Sequence, residues 1–337
     1  MPQDRQVTII TVANRAGVSK TTASDALRGS GRVSEETRRL VTDVAAELGY
    51  VPNGSARHLR RARTGTIGLH LPEVLPRSDY YMSFVFGAVQ AAADHGYDVT
   101  LLTSGSGAGA TAERRPRVDG LVLGDPLAAD PVVEKLMSSQ LPTVTCERYP
   151  GPGDPDGIVW SDHGAALREL LDHLAAVGTL RPALIVPGDE SDWAASVHRT
   201  YRQWCTERGV VPLTRAVPFD ANADATSTVA RNLLTDEPGL DALIAAPTSA
   251  AATLLPVIRE AGRRVGDDLL LASCVDGPAM RFADPAITAI DVQPREAGAA
   301  CAELLFELLA GAVAPGVERL HPIELNIRES TRRRNAP

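Results

Sequence analysis

Apolar positions divide the chain into two differently patterned parts. In roughly the first fifty residues they recur at helical spacing in short runs. Val12, Ala13 and Ala16 fall on one side of a segment that Thr8 can cap and that Gly17 can end with a positive φ. Ser19 caps a second segment, "GSG" at 29–31 forms a loop, and Ser34 caps a third with Glu35 and Glu36 in its first turn. Leu40, Val44, Ala45 and Leu48 are expected to close a small core from that third helix. Because a tight turn separates the first two helices, they must cross sharply, as in a helix-turn-helix.

From residue 64 short apolar runs alternate with amphipathic ones: "TIGLHL", "YMSFVFGAVQAAADHG", "YDVTLLT", "VDGLVLG" and "LPTVTCE". The rhythm returns in "GAALRELLDHLAAVG", "RPALIVPG", "ASVHRTYRQWCTERG", "LDALIAAP", "AAATLLPVIREAG", "DLLLASCVDG" and "REAGAACAELLFELLAG". Strands alternating with helices predict parallel sheets covered on both faces. Two rounds of the rhythm predict two similar lobes with a ligand cleft between them.

Between the two parts lies "YVPNGSARHLRRARTGT", where Pro52 and Asn53 end one helical region and can start another carrying Ala56 and Leu59. A helix this short and this basic is unstable alone in water and is expected to form only when docked. Leu59, apolar among arginines, has the character of a minor-groove wedge, with an ordinary linker leucine as the plainer alternative.

Charge sharpens the division. The 337 residues carry a net charge of −8, yet residues 1–63 hold eleven Arg and Lys against six Asp and Glu, a surplus of five that leaves −13 for the rest. A small basic module that meets a polyanion, joined to a large acidic one, fits that asymmetry. The second helix, "KTTASDALR", explains how such a module makes contact: small polar side chains let its backbone approach a DNA groove. Lys20 and Thr21 are placed to read bases, and Thr22 and Ser24 to hold phosphates. The 44% hydrophobic content suits a soluble globular chain, and neither a signal peptide nor an apolar run of membrane-spanning length is present, so a cytoplasmic location and no membrane partner are expected.

Other chemistry finds little support. Cys146, Cys205, Cys274 and Cys301 are scattered without a CxxC pair and are expected to be buried free thiols. "GSGAGA" at 105–110 follows a strand, but "TAERRPRVDG" after it is broken by Pro116 and leaves no helix to receive a phosphate, so it reads as a linker. Asp162-His163 and His198-Arg199 lack a nucleophile elbow, no paired-His metal spacing occurs, and His173 reads as a structural histidine. No enzyme activity, metal or cofactor is expected.

"VTIITVANRAGVSKTTASDALRGSGRVSEETRRLVTDVAAELGYVPN" resembles the LacI/GalR family of bacterial transcriptional regulators, and the similarity continues through "GTIGL", "VDGLVL", "LPTVTCER", "VIREAGRRVGDDL" and "RES". The resemblance implies an α/β chain: an N-terminal three-helix helix-turn-helix headpiece over 1–50, a hinge helix over 51–63, and a two-lobed periplasmic-binding-protein-like core with parallel sheets. Its N-lobe would comprise 64–160 and 291–320, and its C-lobe 161–290 and 321–330. It also implies a homodimer, a double-stranded and near-palindromic operator, and a small effector in the cleft that alters the order of the hinge helices, most simply in a repressor. The family's base readers fall on Lys20, Thr21 and Asp25, with a further groove contact at Arg32, phosphate contacts at Thr8, Thr22, Ser24 and Tyr50, and hinge positions at Asn53, Ala56 and Leu59.

Departures from the family pattern concern what is read and bound. Asp25 replaces the arginine of well-known members and cannot pair with guanine as an arginine does. In the pocket, Val197 stands at an arginine position, Thr200-Tyr201 at a Gly-aromatic pair, and Pro247-Thr248 at an Asn-Asp pair. Losing groups that grip hydroxyls argues for an effector other than a typical sugar, with an effector-independent repressor or a solute-binding or enzymatic core as alternatives. Glu147 and Asp276 retain acids, and Phe219 could stack on a ring, so the expected pocket residues are Glu147, Val197, Phe219, Thr248 and Asp276. The segment 104–117 is short for the family and is expected to lack a full helix.

Overall fold

A computed structural model describes residues 7–50, 63–72, 79–102, 116–128, 130–188, 190–219 and 221–333. The chain forms two compact units, Met1–Arg63 and Thr64–Pro337. The expected hinge helix, with Asn53, Ala56 and Leu59, and the "GSGAGA" segment lie outside the described residues.

The small unit contains α1 (Ile9–Arg15), α2 (Lys20–Arg28) and α3 (Glu35–Glu47). Each begins at its expected cap: Thr11, Thr22 and Thr37 donate their backbone N–H groups to the hydroxyls of Thr8, Ser19 and Ser34 at 3.3, 3.0 and 3.2 Å. Gly17 turns the chain between α1 and α2 at φ 66°. The core is built from small residues, with Val12, Ala13, Ala23, Ala26, Val41 and Ala45 buried, so the helices approach closely. Leu40 does not join it. It is 47% exposed, because the inward face of α3 begins at Val41, while the expected Val44 and Ala45 are buried and Leu48 packs against the core.

The large unit runs β1 (Thr66–His70), α4 (Asp79–Asp94), β2 (Asp98–Leu102), β3 (Gly120–Gly124), α5 (Pro131–Met137), β4 (Thr143–Cys146) and β5 (Gly157–Trp160). It continues as α6 (His163–Ala176), β6 (Pro182–Pro187), α7 (Asp192–Arg208), β7 (Leu213–Val217), α8 (Ala223–Asp236), β8 (Ala242–Ala245), α9 (Ala250–Glu260) and β9 (Leu270–Ser273). Last come α10 (Pro278–Arg281), β10 (Thr288–Asp291), α11 (Pro294–Ala310), β11 (Val317–Leu320) and β12 (Glu324–Asn326).

Among the described residues these strands form two six-stranded sheets, in the orders β11-β5-β4-β3-β1-β2 and β12-β10-β9-β8-β6-β7. The chain passes from one to the other after β5, β10 and β11. Pairing is parallel except at one edge, where β12 runs antiparallel to β10, a departure from the all-parallel expectation.

Burial on both faces explains the continuous apolar runs. Along β6 all six residues are buried, with Leu184 and Val186 turned toward α6 and α7, and Ala183 and Ile185 toward α8 and α9. In the other lobe α4 and α11 pack backbone to backbone at two glycines. A Cβ on Gly87 would collide with the Arg295 carbonyl oxygen, and one on Gly298 with that of Phe84. No described helix is long and apolar enough to cross a membrane.

Candidate DNA interface and ligand cavity

In the small unit, capping decides which side chains of α2 are presented. Ser19 and Thr22 lie hydroxyl to hydroxyl at 2.8 Å, which closes the first turn and leaves Lys20 and Thr21 exposed on its outer side. No acid occupies that turn, so its free N–H groups and the lysine present positive character. Thr8 and Arg32 are also exposed, while Thr22, Ser24 and Tyr50 are half-buried, Tyr50 against the small core. Asp25, expected at a base edge, is half-buried with its side chain against Gly31, where a Cβ would come within 3.0 Å of Oδ2.

In the large unit a cavity of about 320 Å³ lies where strands of both sheets end. Residues at or just beyond the C-terminal ends of parallel strands line it: Asp125 after β3, Glu147 after β4, Phe219 after β7, Thr248 after β8, Val275 after β9 and Val292 after β10. Glu147, Phe219 and Thr248 were expected there. Val197 and Asp276 do not line it. Val197 faces inward from α7 into the apolar layer under β6. The Asp276 carboxylate is fully buried between Arg328, at 2.6 and 2.8 Å, and Arg281, at 3.1 Å. Those arginines hold its ionisation below the usual carboxylate range against the opposing effect of burial.

Beside the expected Glu147, the polar wall of the cavity comes from Asp125, which the sequence did not single out, and His163, weighed there only as part of an acid-base pair. Asp125 is 7% exposed; Tyr81 donates its hydroxyl to Asp125 Oδ2 at 3.2 Å, and Oδ1 is buried without a hydrogen-bond partner. Burial, then the nearby Glu147 charge, raises the Asp125 pKa to about 7. His163 Nε2 sits 2.9 Å from Glu147 Oε1, and the Ser161 backbone N–H donates to Glu147 Oε2 at 3.2 Å. Burial opposes a charged imidazole, but the attraction and hydrogen bond of Glu147 outweigh it and raise the His163 pKa. Asp162, by contrast, caps α6 through the Ala165 N–H at 2.8 Å and takes no part. Asp125, Glu147 and Ser249 also hold left-handed backbone conformations, at φ 45°, 68° and 61°, a strain that concentrates at binding sites. Trp193 and Phe219 contribute aromatic surface from the other lobe.

The family described as "Bacterial regulatory proteins, lacI family" matches residues 8–53, and "Periplasmic binding protein-like domain" matches 171–331. The HTH-type transcriptional regulator CelR of Thermobifida fusca is 30% identical over 343 residues, covering 98% of this chain and all of the relative. The chain belongs to the lacI family. This lacI-family chain is also 27% identical over 341 residues to the HTH-type transcriptional repressor CytR of Escherichia coli strain K12, with 98% of each covered. A structure of a CelR-cellobiose complex aligns with a TM-score of 0.71 at 28% identity, over 96% of this chain and 99% of that one. A lac repressor dimer bound to operator and the anti-inducer ONPF aligns at 0.80 and 24% identity, over 97% and 100%, a likeness of fold. The lacI-family protein is thus a DNA-binding transcriptional regulator, with its helix-turn-helix on the small unit and its periplasmic-binding-protein-like fold on the large one.

Proposed function

We propose that this lacI-family protein is a homodimeric repressor that binds a near-palindromic operator and is controlled by a small effector in the cavity. The observation that carries the reading is the cavity itself: strand ends of both lobes supply its walls, so a ligand touching both can bias their arrangement. At the operator, Lys20 and Thr21 read base edges in the major groove, Arg32 adds a groove contact, and Thr8, Thr22, Ser24 and Tyr50 fix the headpiece on phosphates. Asn53, Ala56 and Leu59 serve as hinge positions.

A dimer accounts for an exposed apolar stripe on α4. Met82, Phe86 and Val89 recur at helical spacing on its outer face and are left to water in the single chain.

The effector is a hydroxylated ring compound. The polar positions lost at Val197 and Pro247 are compensated on the opposite wall by Asp125, Glu147 and His163, so hydroxyl recognition does not need the missing pair. Trp193 and Phe219 can cover a ring face, and the volume lies at the lower end of ordinary ligand pockets. The structure of the relative CelR with cellobiose supports this choice over a ligand without hydroxyls.

Selection of DNA sequences bound by the full-length chain, followed by titrations with and without candidate saccharides, tests the reading. A two-fold symmetric consensus whose affinity changes with one saccharide is expected. Asymmetric or sequence-indifferent binding would sink it.

A further inference from the structure

Among the described residues, His163 alone is a basic side chain on the acid wall of the cavity. Among the described residues lining the cavity there is no lysine or arginine; the charge-bearing groups are Asp125, Glu147 and His163. His163 is committed to Glu147 at 2.9 Å, and Glu147 spends its second oxygen on the Ser161 N–H. Asp125 receives the Tyr81 hydroxyl on Oδ2 at 3.2 Å and has the Ser191 hydroxyl close by, while its buried Oδ1 makes no hydrogen bond. With His163 charged and both acids ionised, the described residues of the wall carry one uncompensated negative charge. The nearest arginine by sequence, Arg148, is stacked 3.8 Å over Trp160 and paired with Glu318 at 2.8 Å.

We infer that the effector carries a protonated primary amine, and that its ammonium group occupies the space facing Asp125 Oδ1. The inference rests on the effector reading above and narrows it to an amine-bearing hydroxylated ring. An ammonium donates the hydrogen bond that Oδ1 lacks and supplies the missing positive charge, whereas an anionic effector would meet two carboxylates and is excluded.

Proton competition follows. Without ligand, Asp125 resolves its imbalance by holding a proton up to about pH 7. The groups that face it are Tyr81 and Tyr80 from α4, Cys146 and Glu147 from β4 and its end, His163 from the start of α6 and Ser191 before α7, with Asp192 acting on Glu147 and His163 behind them. Both tyrosines and Cys146 are pushed upward by their surroundings and stay neutral, while burial and then Glu147 raise Asp192. An ammonium needs Asp125 ionised, so its binding expels that proton and strengthens as pH rises. Loss of the His163 proton at higher pH acts in the same direction.

The test is calorimetric titration of the full-length protein with matched pairs, glucose against 6-amino-6-deoxyglucose and cellobiose against its 6-amino-6-deoxy derivative. Alkyl amines of this kind stay protonated over the range used. The expected result is tighter binding of an amine member, by about ten-fold or more, with affinity rising about ten-fold from pH 6 to pH 8. Asp125→Asn, checked for folding by its melting temperature, removes the preference and the part of the pH slope that Asp125 supplies, leaving only the His163 contribution. If the neutral member of each pair binds as well as its amine, the ammonium assignment is overturned and the effector reading stands. If no member of either pair binds, the ammonium assignment and the saccharide effector fall together.

Discussion

His163 and Glu147 form a buried pair at 2.9 Å across the mouth of the first sheet, joining the loop after β4 to the start of α6, where the chain passes between lobes. The position matters because Glu147 lines the cavity while His163 begins the helix that packs under the second sheet. Any ligand group that displaces Glu147 therefore acts on a lobe crossing. Replacing the acid, as in Glu147→Gln, removes the largest attraction that keeps the imidazole charged and leaves only Asp125 and Asp192 to oppose burial. The His163 pKa, followed by the NMR shifts of its ring protons, should fall below its wild-type value. A pKa that stays put would show that Glu147 is not its cause.

Asp125 makes the stability of the ligand-free core depend on pH. Its pKa is raised in the folded state, so the folded chain holds a proton that the unfolded chain gives up near pH 4, and stability falls as pH rises toward 7. A shift from 3.8 to about 7 corresponds to a cost on the order of 4 kcal/mol above pH 7. His163, also raised, loses its contribution in the same direction, whereas His173 and His321, lowered chiefly by burial, gain stability with rising pH. The informative quantity is consequently the difference between wild type and Asp125→Asn. The variant should melt higher than wild type at pH 8, and that advantage should shrink as pH falls through 7 and disappear only near pH 4. Equal melting temperatures at pH 8 would contradict the assignment.

Asp276 should behave as structure and not as binding machinery. Its carboxylate is completely buried between Arg328 and Arg281, so Asp276→Ala leaves the largely buried Arg328 without its partner. Loss of about 3 kcal/mol in urea unfolding of the large unit is expected, the usual range for a broken buried pair. Effector affinity, measured on the protein that remains folded, should be unchanged. A variant of normal stability with lost affinity would return Asp276 to the pocket.

The layered fold was legible because strands buried on both faces and helices buried on one have different apolar periods, as β6 and α6 show. Elements with weaker contrast escaped: β7, "LTRAV", has one buried residue, and α8, "ADATSTVARNLLTD", begins with polar residues and could pass for a loop. Leu40 was misplaced because Leu40 and Val41 are both apolar and periodicity alone does not choose between neighbours. In the site, family correspondence pointed to Glu147 and Thr248, and aromatic character to Phe219, all of which line the cavity, but correspondence also directed attention to Val197 and Asp276, whose burial depends on tertiary partners. The signal for Asp125 was present as an acid directly after the apolar strand "GLVLG". Its importance comes from Tyr81 and Glu147, which are distant in sequence or on another strand.

The crossing of α4 and α11 leaves no room for a methyl group. At Gly298 the obstacle is the Phe84 carbonyl oxygen, a backbone atom of α4 that cannot rotate aside. Gly298→Ala must therefore push the helices apart, opening the layer that holds Phe84, Cys301 and Leu305. A loss of about 2 kcal/mol or more in unfolding free energy is expected, in spite of the better helix propensity of alanine. Thermal unfolding of the purified variant checks this, and an unchanged or raised midpoint would refute the close contact.

Lys20 and Thr21 should carry sequence discrimination, and Thr8 should not. All three are exposed, but Lys20 and Thr21 stand on the outer side of the first turn of α2, while the Thr8 hydroxyl is tied to Thr11 at 3.1 Å at the start of α1. Lys20→Ala should weaken binding to the selected operator by about 1–3 kcal/mol and flatten the preference at one base pair of each half-site. Thr21→Ala should act on a neighbouring base pair. Thr8→Ala should lower affinity for operator and unrelated DNA alike, and it should also loosen α1, since the hydroxyl accepts from the Thr11 N–H. Anisotropy titrations on a set of single-base operator variants, repeated over a range of salt, separate these effects. A uniform loss for Lys20→Ala across all sequences would place it on the phosphates and leave the base readers elsewhere on α2.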